Sequence, residues 1–223
     1  MGAEELISRY YESATTQEQN RYERGQIYWA PSLFIERELK VLYPRGEPPW
    51  GTEPTLWEIR PEDDSTFQHQ PLRRPELRAD EAFVVLKAKR RPVIIMSSHP
   101  EVWTYRSGQR REEVFLVIPM FSFEEEDPVE FKLRMKALSY RELFYLPEDA
   151  VLGMEEGFAR FDRCHVVPKK WLRRRRVTLS ADALDLMTEW FNFFLTGKAS
   201  DFIIEYRNDL QVALKETLAD AGM

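Results

Sequence analysis

The sequence predicts an α+β protein, mainly β, built on a small antiparallel barrel that a C-terminal helix closes. Short apolar, β-rich runs between turn-forming residues indicate the strands, most clearly at Phe83–Leu86, Val93–Met96 and Val114–Ile118. Ser180, followed by apolar residues at helical spacing, predicts an N-capped helix over residues 181–195. Short strands closed by one helix favour a small barrel over a doubly wound sheet.

The other elements follow from the same kinds of pattern. Apolar residues at helical spacing predict an N-terminal helix over residues 1–22, and Ser200 predicts the cap of a last helix over residues 199–223. The barrel domain between them covers residues 23–198. Prolines crowd its segment 35–82 with little regular apolar period, so we expect a long loop or insertion there. Further strands are predicted at residues 24–31, ending at Pro31, and near 149–152, 163–168 and 175–180.

The composition is that of a folded protein without bound metal. The chain has 223 residues, 43% of them hydrophobic and 13% aromatic, whereas disordered chains are poor in aromatic residues. A lone cysteine, Cys164, excludes an intrachain disulfide, and the three histidines lack metal-ligand spacing, so no metal or cofactor is expected. No apolar run is long enough to cross a bilayer and the N-terminus is polar, so we expect a cytoplasmic protein with no membrane partner.

The charges are segregated, although the formal net charge is −6. One basic cluster contains Lys87, Lys89, Arg90 and Arg91. A second contains Lys169, Lys170, Arg173, Arg174, Arg175 and Arg176, while acidic residues gather at 124–127. Local basic tracts of this kind can bind a phosphate backbone even when the whole chain is acidic.

Several segments, in order, resemble the PemK/MazF-type toxins. Residues 24–29, Arg-Gly-Gln-Ile-Tyr-Trp, resemble the opening strand of that family, and residues 91–97, Arg-Pro-Val-Ile-Ile-Met-Ser, resemble its next conserved strand. Val117-Ile118-Pro119 fits the strand after that. The late segments, including Arg160-Phe161-Asp162 and Val177–Ser180 before the helix, match how such chains end. The resemblance covers residues 24 to about 197, interrupted by the insertion, and both predicted terminal helices are additions.

The resemblance implies an SH3-like barrel and a metal-independent endoribonuclease of a type II toxin–antitoxin system. Such an enzyme forms a homodimer, cleaves single-stranded RNA through attack of a 2′-hydroxyl, and is neutralised by a cognate antitoxin protein. The reaction needs a general base, a proton source for the leaving oxygen, and cations around the phosphate.

The resemblance also nominates catalytic residues. Arg91 stands where the family has an arginine that contacts the scissile phosphate, and a guanidinium can hold two phosphate oxygens at once. Arg160 and Asp162 repeat a spacing to which one branch of the family assigns the chemistry. If both lie on a strand, residues two apart share one face, and they would point into one groove. An exposed structural ion pair is the alternative for this pair.

Two further residues are weaker candidates for the catalytic set. His165 falls where some members have an arginine, and a histidine can act as acid or base, although a lone histidine is more often structural. Ser122 lies beside the position of the family's catalytic threonine, which Phe121 occupies here, and Gln26 replaces an aspartate of the opening strand. We expect RNA contacts from the basic clusters, namely Lys87, Lys89, Arg90, Lys169, Lys170, Arg173 and Arg174.

Two other functions fit the same sequence. One is a catalytically silent barrel that binds nucleic acid or a protein partner, for which the basic clusters suffice. The other is a structural scaffold that assembles through the insertion and the terminal helices. An endoribonuclease requires Arg91 and Asp162 to face one another, and this requirement separates it from both alternatives.

Overall fold

The structure is a computed structural model that describes residues 7–34, 40–44, 57–61, 83–97, 101–104 and 111–220. It is a mixed α/β fold with mostly antiparallel sheets, as predicted. The chain divides into two compact units, one formed by residues 1–31 and 90–223 and the other by residues 32–89. None of the helices in the described residues is both long and apolar enough to cross a membrane.

Strands β1 to β12 and helices α1 to α4 are numbered along the chain. The strands are β1 (Tyr11–Ser13), β2 (Gln26–Phe34), β3 (Lys40–Pro44), β4 (Trp57–Pro61), β5 (Phe83–Val85), β6 (Lys87–Ile95), β7 (Glu101–Thr104), β8 (Arg111–Ser122), β9 (Leu143–Leu146), β10 (Gly157–Arg160), β11 (His165–Pro168) and β12 (Arg173–Leu179). The helices are α1 (Thr16–Gln19), α2 (Val129–Lys136), α3 (Ala181–Thr196) and α4 (Asp201–Asp220). Two 3-10 turns cover Phe161–Arg163 and Lys169–Trp171.

The main sheet is organised around β8. Its strand order is β1-β12-β2-β6-β8-β10-β9, and β7 and β11 also pair with β8. In the described residues this order is an open path, with β1 and β9 at its two ends. Strand β8 is twelve residues long and pairs with two strands along each edge. Towards its end it pairs with β6 on one edge and β10 on the other, and nearer its start it pairs with β7 and β11 on those same edges.

Helix α3 covers one face of this sheet. Ser180 caps it as predicted, by accepting a hydrogen bond from the Ala183 amide, and Gly197 ends it in the left-handed conformation at φ 69°. Trp190 is fully buried and donates its indole N–H to the Leu143 carbonyl at 3.0 Å. The same core contains Ile94 of β6 and Met120 of β8, so the side chains that alternate with these point to the opposite sheet face.

The predicted helix over residues 1–22 is wrong in its described part. Residues 11–13 form β1, where Tyr11 pairs with Leu179 of β12 and is buried. The Thr15 hydroxyl then caps α1 by accepting a hydrogen bond from the Glu18 amide, and the Glu18 carboxylate accepts one from the Thr15 amide. This capping box sets the start of the helix at residue 16, and α1 is only four residues long. Residues 1–6 lie outside the described residues.

Two further expectations differ from the structure. Residues 150–153 form a turn closed by an isolated bridge between Asp149 and Met154, where a strand was predicted. In the second unit, β3 and β4 pair within the 35–82 segment, which was predicted to lack regular structure. Strand β3 also pairs with β5, so the strand predicted at Phe83–Leu86 belongs to a separate three-stranded sheet and not to the main sheet. The prolines there, Pro44 and Pro61, stand at strand ends, where the missing N–H is tolerated. The rest of the 35–82 insertion lies outside the described residues.

The C-terminal part agrees with the sequence. Helix α4 covers residues 201–220 within the predicted 199–223, and Ser200 accepts a hydrogen bond from the Ile203 amide. Strand β2 starts near its predicted position but continues through Pro31 to Phe34.

Candidate functional site

Three neighbouring strands bring Arg91, Phe121 and Arg160 together. In the β6–β8 pair, Val93 lies opposite Pro119, and two more residues of the same register place Arg91 opposite Phe121. On the other edge of β8, Phe158 lies directly opposite Phe121, and Arg160 is two residues further along β10. Residues two apart on a strand share a face, so all four side chains lie on the face away from α3.

Both guanidinium groups lie over the Phe121 ring. The Cζ atom of Arg91 is 4.2 Å from the ring centroid, and that of Arg160 is 5.6 Å from it. Both distances are within the range of a cation–π contact. The site therefore contains two cations on flanking strands with one aromatic ring between them.

Asp162 is bound to the second of these arginines. Arg160 donates from Nε to Oδ1 at 3.0 Å and from Nη2 to Oδ2 at 2.6 Å, a bidentate pair. Arg163 Nε lies 3.7 Å from the same Oδ2 atom. The sequence predicted a shared strand face for the two residues, but β10 ends at Arg160 and Asp162 belongs to the following 3-10 turn. Their direct pairing is the ion pair that was the alternative to that prediction. Each carboxylate oxygen keeps a further lone pair for another donor.

Arg91 lies in a less polar environment than a surface arginine. Its burial lowers the pKa of its guanidinium, and the nearby carboxylate of Glu124 acts in the opposite direction. Glu124 starts an acidic turn whose amide binds the Asp127 carboxylate at 2.8 Å. The site is thus bordered by acid where β8 ends.

Ser122 and His165 are placed apart from these residues. Ser122 alternates with Phe121, lies on the other side of β8, and donates its hydroxyl to Glu155 at 2.7 Å. His165 lies opposite Val117, four residues before Phe121, which is about 13 Å along the strand. Its Nδ1 is 2.9 Å from the Arg163 carbonyl oxygen and its Nε2 is 3.2 Å from that of Pro31. Both ring nitrogens therefore face backbone acceptors.

The first basic cluster occupies the beginning of β6. Lys87, Lys89 and Arg90 are exposed, whereas Arg91 is half-buried. Only Arg91 of this cluster makes the contact with Phe121.

The second basic cluster lies near the start of β8, far from Arg91. Lys169 binds Glu113, and Lys170 Nζ lies 2.5 Å from the Glu112 carboxylate. Position 113 precedes Phe121 by eight residues, which is about 25 Å along the strand. Arg173 donates to the Lys170 carbonyl at 2.8 Å, Arg174 to the Asn20 side chain, and Arg175 to the Gly153 carbonyl at 2.5 Å.

These lysines and Arg173 line an open pocket of about 530 Å³. Tyr22 lines it as well, with its ring stacked at 5.3 Å on both Tyr28 and Phe115. The lysines are bound to carboxylates here, so this cluster is a mixed-charge surface rather than the basic track that the sequence indicated.

Phe121 was recognised in the sequence only as a departure from the family, and Phe158 was not singled out. The register of three strands gives both residues their place, and no local pattern in the sequence encodes that register. One local signal was present, because Gly157 stands at the start of a β-type run. A glycine in a strand often marks a close approach of backbones.

Gln26, which stands where the PemK/MazF-type toxins have an aspartate, has a structural role. It is buried, accepts a hydrogen bond from the Glu23 amide at 3.0 Å, and donates to the Glu18 carbonyl at 2.9 Å. These bonds tie the loop before β2 to the sheet.

Metal ligands do not gather in the described residues, where no group of three or more histidine, cysteine or carboxylate side chains is arranged to hold an ion. No protein-family model matches the chain. No curated protein matches it either.

Proposed function

We propose that the protein is an endoribonuclease that cleaves single-stranded RNA on the sheet face formed by β6, β8 and β10. The observation that carries the proposal is the meeting of Arg91 and Arg160 at one ring, with the Asp162 carboxylate held by Arg160. These are three of the five residues that the resemblance nominates, and they come from segments distant in the sequence.

The arrangement supplies two of the three requirements of phosphodiester cleavage, a base and cations, and solvent supplies the proton for the leaving oxygen. Asp162 accepts the proton of a ribose 2′-hydroxyl, and the freed oxygen attacks the adjacent phosphorus. The bond from phosphorus to the 5′-oxygen then breaks, and the leaving oxygen takes a proton from solvent. The products are a 2′,3′-cyclic phosphate and a 5′-hydroxyl. Arg91 and Arg160 stabilise the additional negative charge on the phosphate oxygens as the bond forms.

Four further features of the proposal come from the resemblance alone. The sheet would be of the SH3-like type, the active form would be a two-fold homodimer, a cognate antitoxin would cover the arginine-bearing face, and the reaction would proceed without a metal ion. Light scattering tests the homodimer, co-purification tests the antitoxin, and chelation tests the metal independence.

The test is cleavage of a mixed-sequence, single-stranded RNA by purified protein, with and without chelator. We expect Arg91→Ala to lower the rate 100-fold or more, since removing one such donor costs about 3 kcal/mol. Asp162→Asn should cause a comparable loss while preserving volume. Chelator should change nothing.

Arg141→Ala is the matched control. Arg141 is an exposed arginine whose Cζ lies 4.6 Å from the Phe193 ring centroid, a cation–π contact that belongs to the α3 side of the sheet. Its loss should leave cleavage unchanged. Wild-type rates for both Arg91→Ala and Asp162→Asn would refute the assignment.

A second candidate is a barrel that binds RNA without cutting it. The specific observation in its favour is Phe121, which occupies the position of the family's catalytic threonine, together with the placement of Ser122 and His165 away from the arginines. Salt-sensitive binding of RNA that stays intact would establish this function instead.

A further inference from the structure

We infer that Phe121 is a positioning residue that holds the Arg91 and Arg160 guanidinium groups side by side for one phosphate. The inference deepens the proposed function, since it assigns a role to the residue that replaces the family's polar side chain. Phe121 touches no reacting atom itself and acts through the two arginines.

The first step is the shared ring. Arg91 and Arg160 extend from different strands, β6 and β10, to the same ring, and like charges near one another repel. The electron-rich face of an aromatic ring attracts cations, so Phe121 offsets part of that repulsion for both groups. A threonine at position 121 would have no such face.

The second step is the rigidity of the ring. Phe121 stacks on Phe158 with a centroid distance of 5.8 Å and an interplanar angle of 15°. Phe158 in turn packs on Phe123 at 5.2 Å and meets the edge of Phe131 at 6.0 Å. Three other rings, Phe158 of β10, Phe123 just after β8 and Phe131 of α2, therefore support the ring that carries the arginines.

The third step is the close approach of β10 to β8. A Cβ atom on Gly157 would lie 2.1 Å from the Phe121 carbonyl oxygen, so only glycine allows the two strands this spacing. The spacing brings Phe158 against Phe121 and sets the height of Arg160 above the same ring. Arg160 also binds Asp162. Among the described residues, the contact that Arg160 shares with Arg91 is the one with the Phe121 ring.

The experiment compares Phe121→Leu with Phe121→Tyr. Leucine keeps most of the volume and removes the ring face, whereas tyrosine keeps the ring. The first readout needs no RNA: the Nε–H protons of Arg91 and Arg160 are assigned by NMR. Protons held over a ring face resonate upfield, so these shifts should be present in the wild type and in Phe121→Tyr and be lost in Phe121→Leu.

The second readout is cleavage of single-stranded RNA. Phe121→Leu should lower kcat three- to thirtyfold with little change in KM. The arginines would still attract RNA, but they would no longer be held together at the phosphate oxygens where negative charge develops in the transition state. Phe121→Tyr should restore kcat. A purely structural role would instead show as a lower melting temperature with kcat retained in the folded fraction.

The outcomes separate the two proposals. If wild-type protein leaves RNA intact, the proposed cleavage has failed, and the arginine shifts alone decide the positioning role. Upfield shifts that Phe121→Leu abolishes and Phe121→Tyr preserves support that role. Arginine shifts, or kcat in a cleaving protein, that stay unchanged in Phe121→Leu overturn it.

Discussion

Gly157→Ala tests the strand spacing on which the site depends. The added Cβ would lie 2.1 Å from the Phe121 carbonyl oxygen, where contacts under 3.0 Å are essentially never found. Strand β10 must therefore retreat by about 1 Å, which costs about 1–3 kcal/mol in a well-packed region. Alanine also reduces the freedom of the unfolded chain, which returns up to about 1 kcal/mol.

The net loss of about 1–2 kcal/mol corresponds to a fall in Tm of about 2–8 °C for a domain of this size. Thermal unfolding followed by circular dichroism measures it. Because β10 moves with its side chains, Arg160 should also shift relative to Phe121, and RNA cleavage should fall.

Gly153→Ala provides the control for this substitution. Gly153 has φ 64°, so alanine there is strained by about 1 kcal/mol, but no atom lies within 4 Å of the new Cβ. We expect a modest loss of stability and unchanged RNA cleavage. A Gly157→Ala protein that melts within about 1 °C of the wild type would show that the two strands are not in close contact.

Two other predictions concern stability. Burial by itself would raise the pKa of Glu156, but the Tyr145 hydroxyl at 2.7 Å and the Lys136 and Lys132 ammonium groups outweigh it and lower that pKa. A lowered folded-state pKa stabilises the fold above the ordinary glutamate range, and that stability is lost as the pH falls through the folded pKa. Glu156→Gln should therefore be less stable at neutral pH and lose less stability on acidification, as measured by urea unfolding at several pH values; parallel curves for both proteins would contradict this. Ser180→Ala should lower the free energy of unfolding by about 1 kcal/mol, because it removes the cap of α3. An unchanged free energy of unfolding, measured by urea unfolding, would contradict this and would show that the Ala183 amide has another acceptor.

Local signals explain which elements the sequence predicted. Helix α3 has a cap, an apolar stripe and a terminal glycine within one segment, so each feature could be read without knowing the rest of the fold. Tyr10 and Tyr11 have helical spacing with Leu6 and Ile7 as well, yet β12 pairs with this segment from far along the chain. Tertiary pairing therefore overrode the local period.

The candidate site was predictable only in part, for the same reason. The Arg160–Asp162 contact joins near neighbours, so their spacing brought an ion pair into consideration as the alternative to a shared strand face. The meeting of Arg91 with Arg160 depends on two strand registers on either edge of β8. A shift of one residue in either register would turn one arginine to the α3 face. The sequence around Arg91 and Arg160 does not specify these registers.

The two ends of β8 differ in how they can receive a phosphate. At the start of the strand, Lys169 and Lys170 are bound to Glu113 and Glu112, so a phosphate arriving there must displace a carboxylate from each lysine. Near the end of the strand, Arg91 contacts the Phe121 ring, and Arg160 binds the Asp162 carboxylate. A cation–π contact can persist while the edge of a guanidinium binds a phosphate, whereas an ammonium bound to a carboxylate must first lose that partner. The density of basic residues along the sequence therefore does not by itself locate a surface that could receive a phosphate: the longer basic run, 169–176, is largely committed to contacts within the fold, whereas Arg91 and Arg160, which are distant in the sequence, meet at one ring.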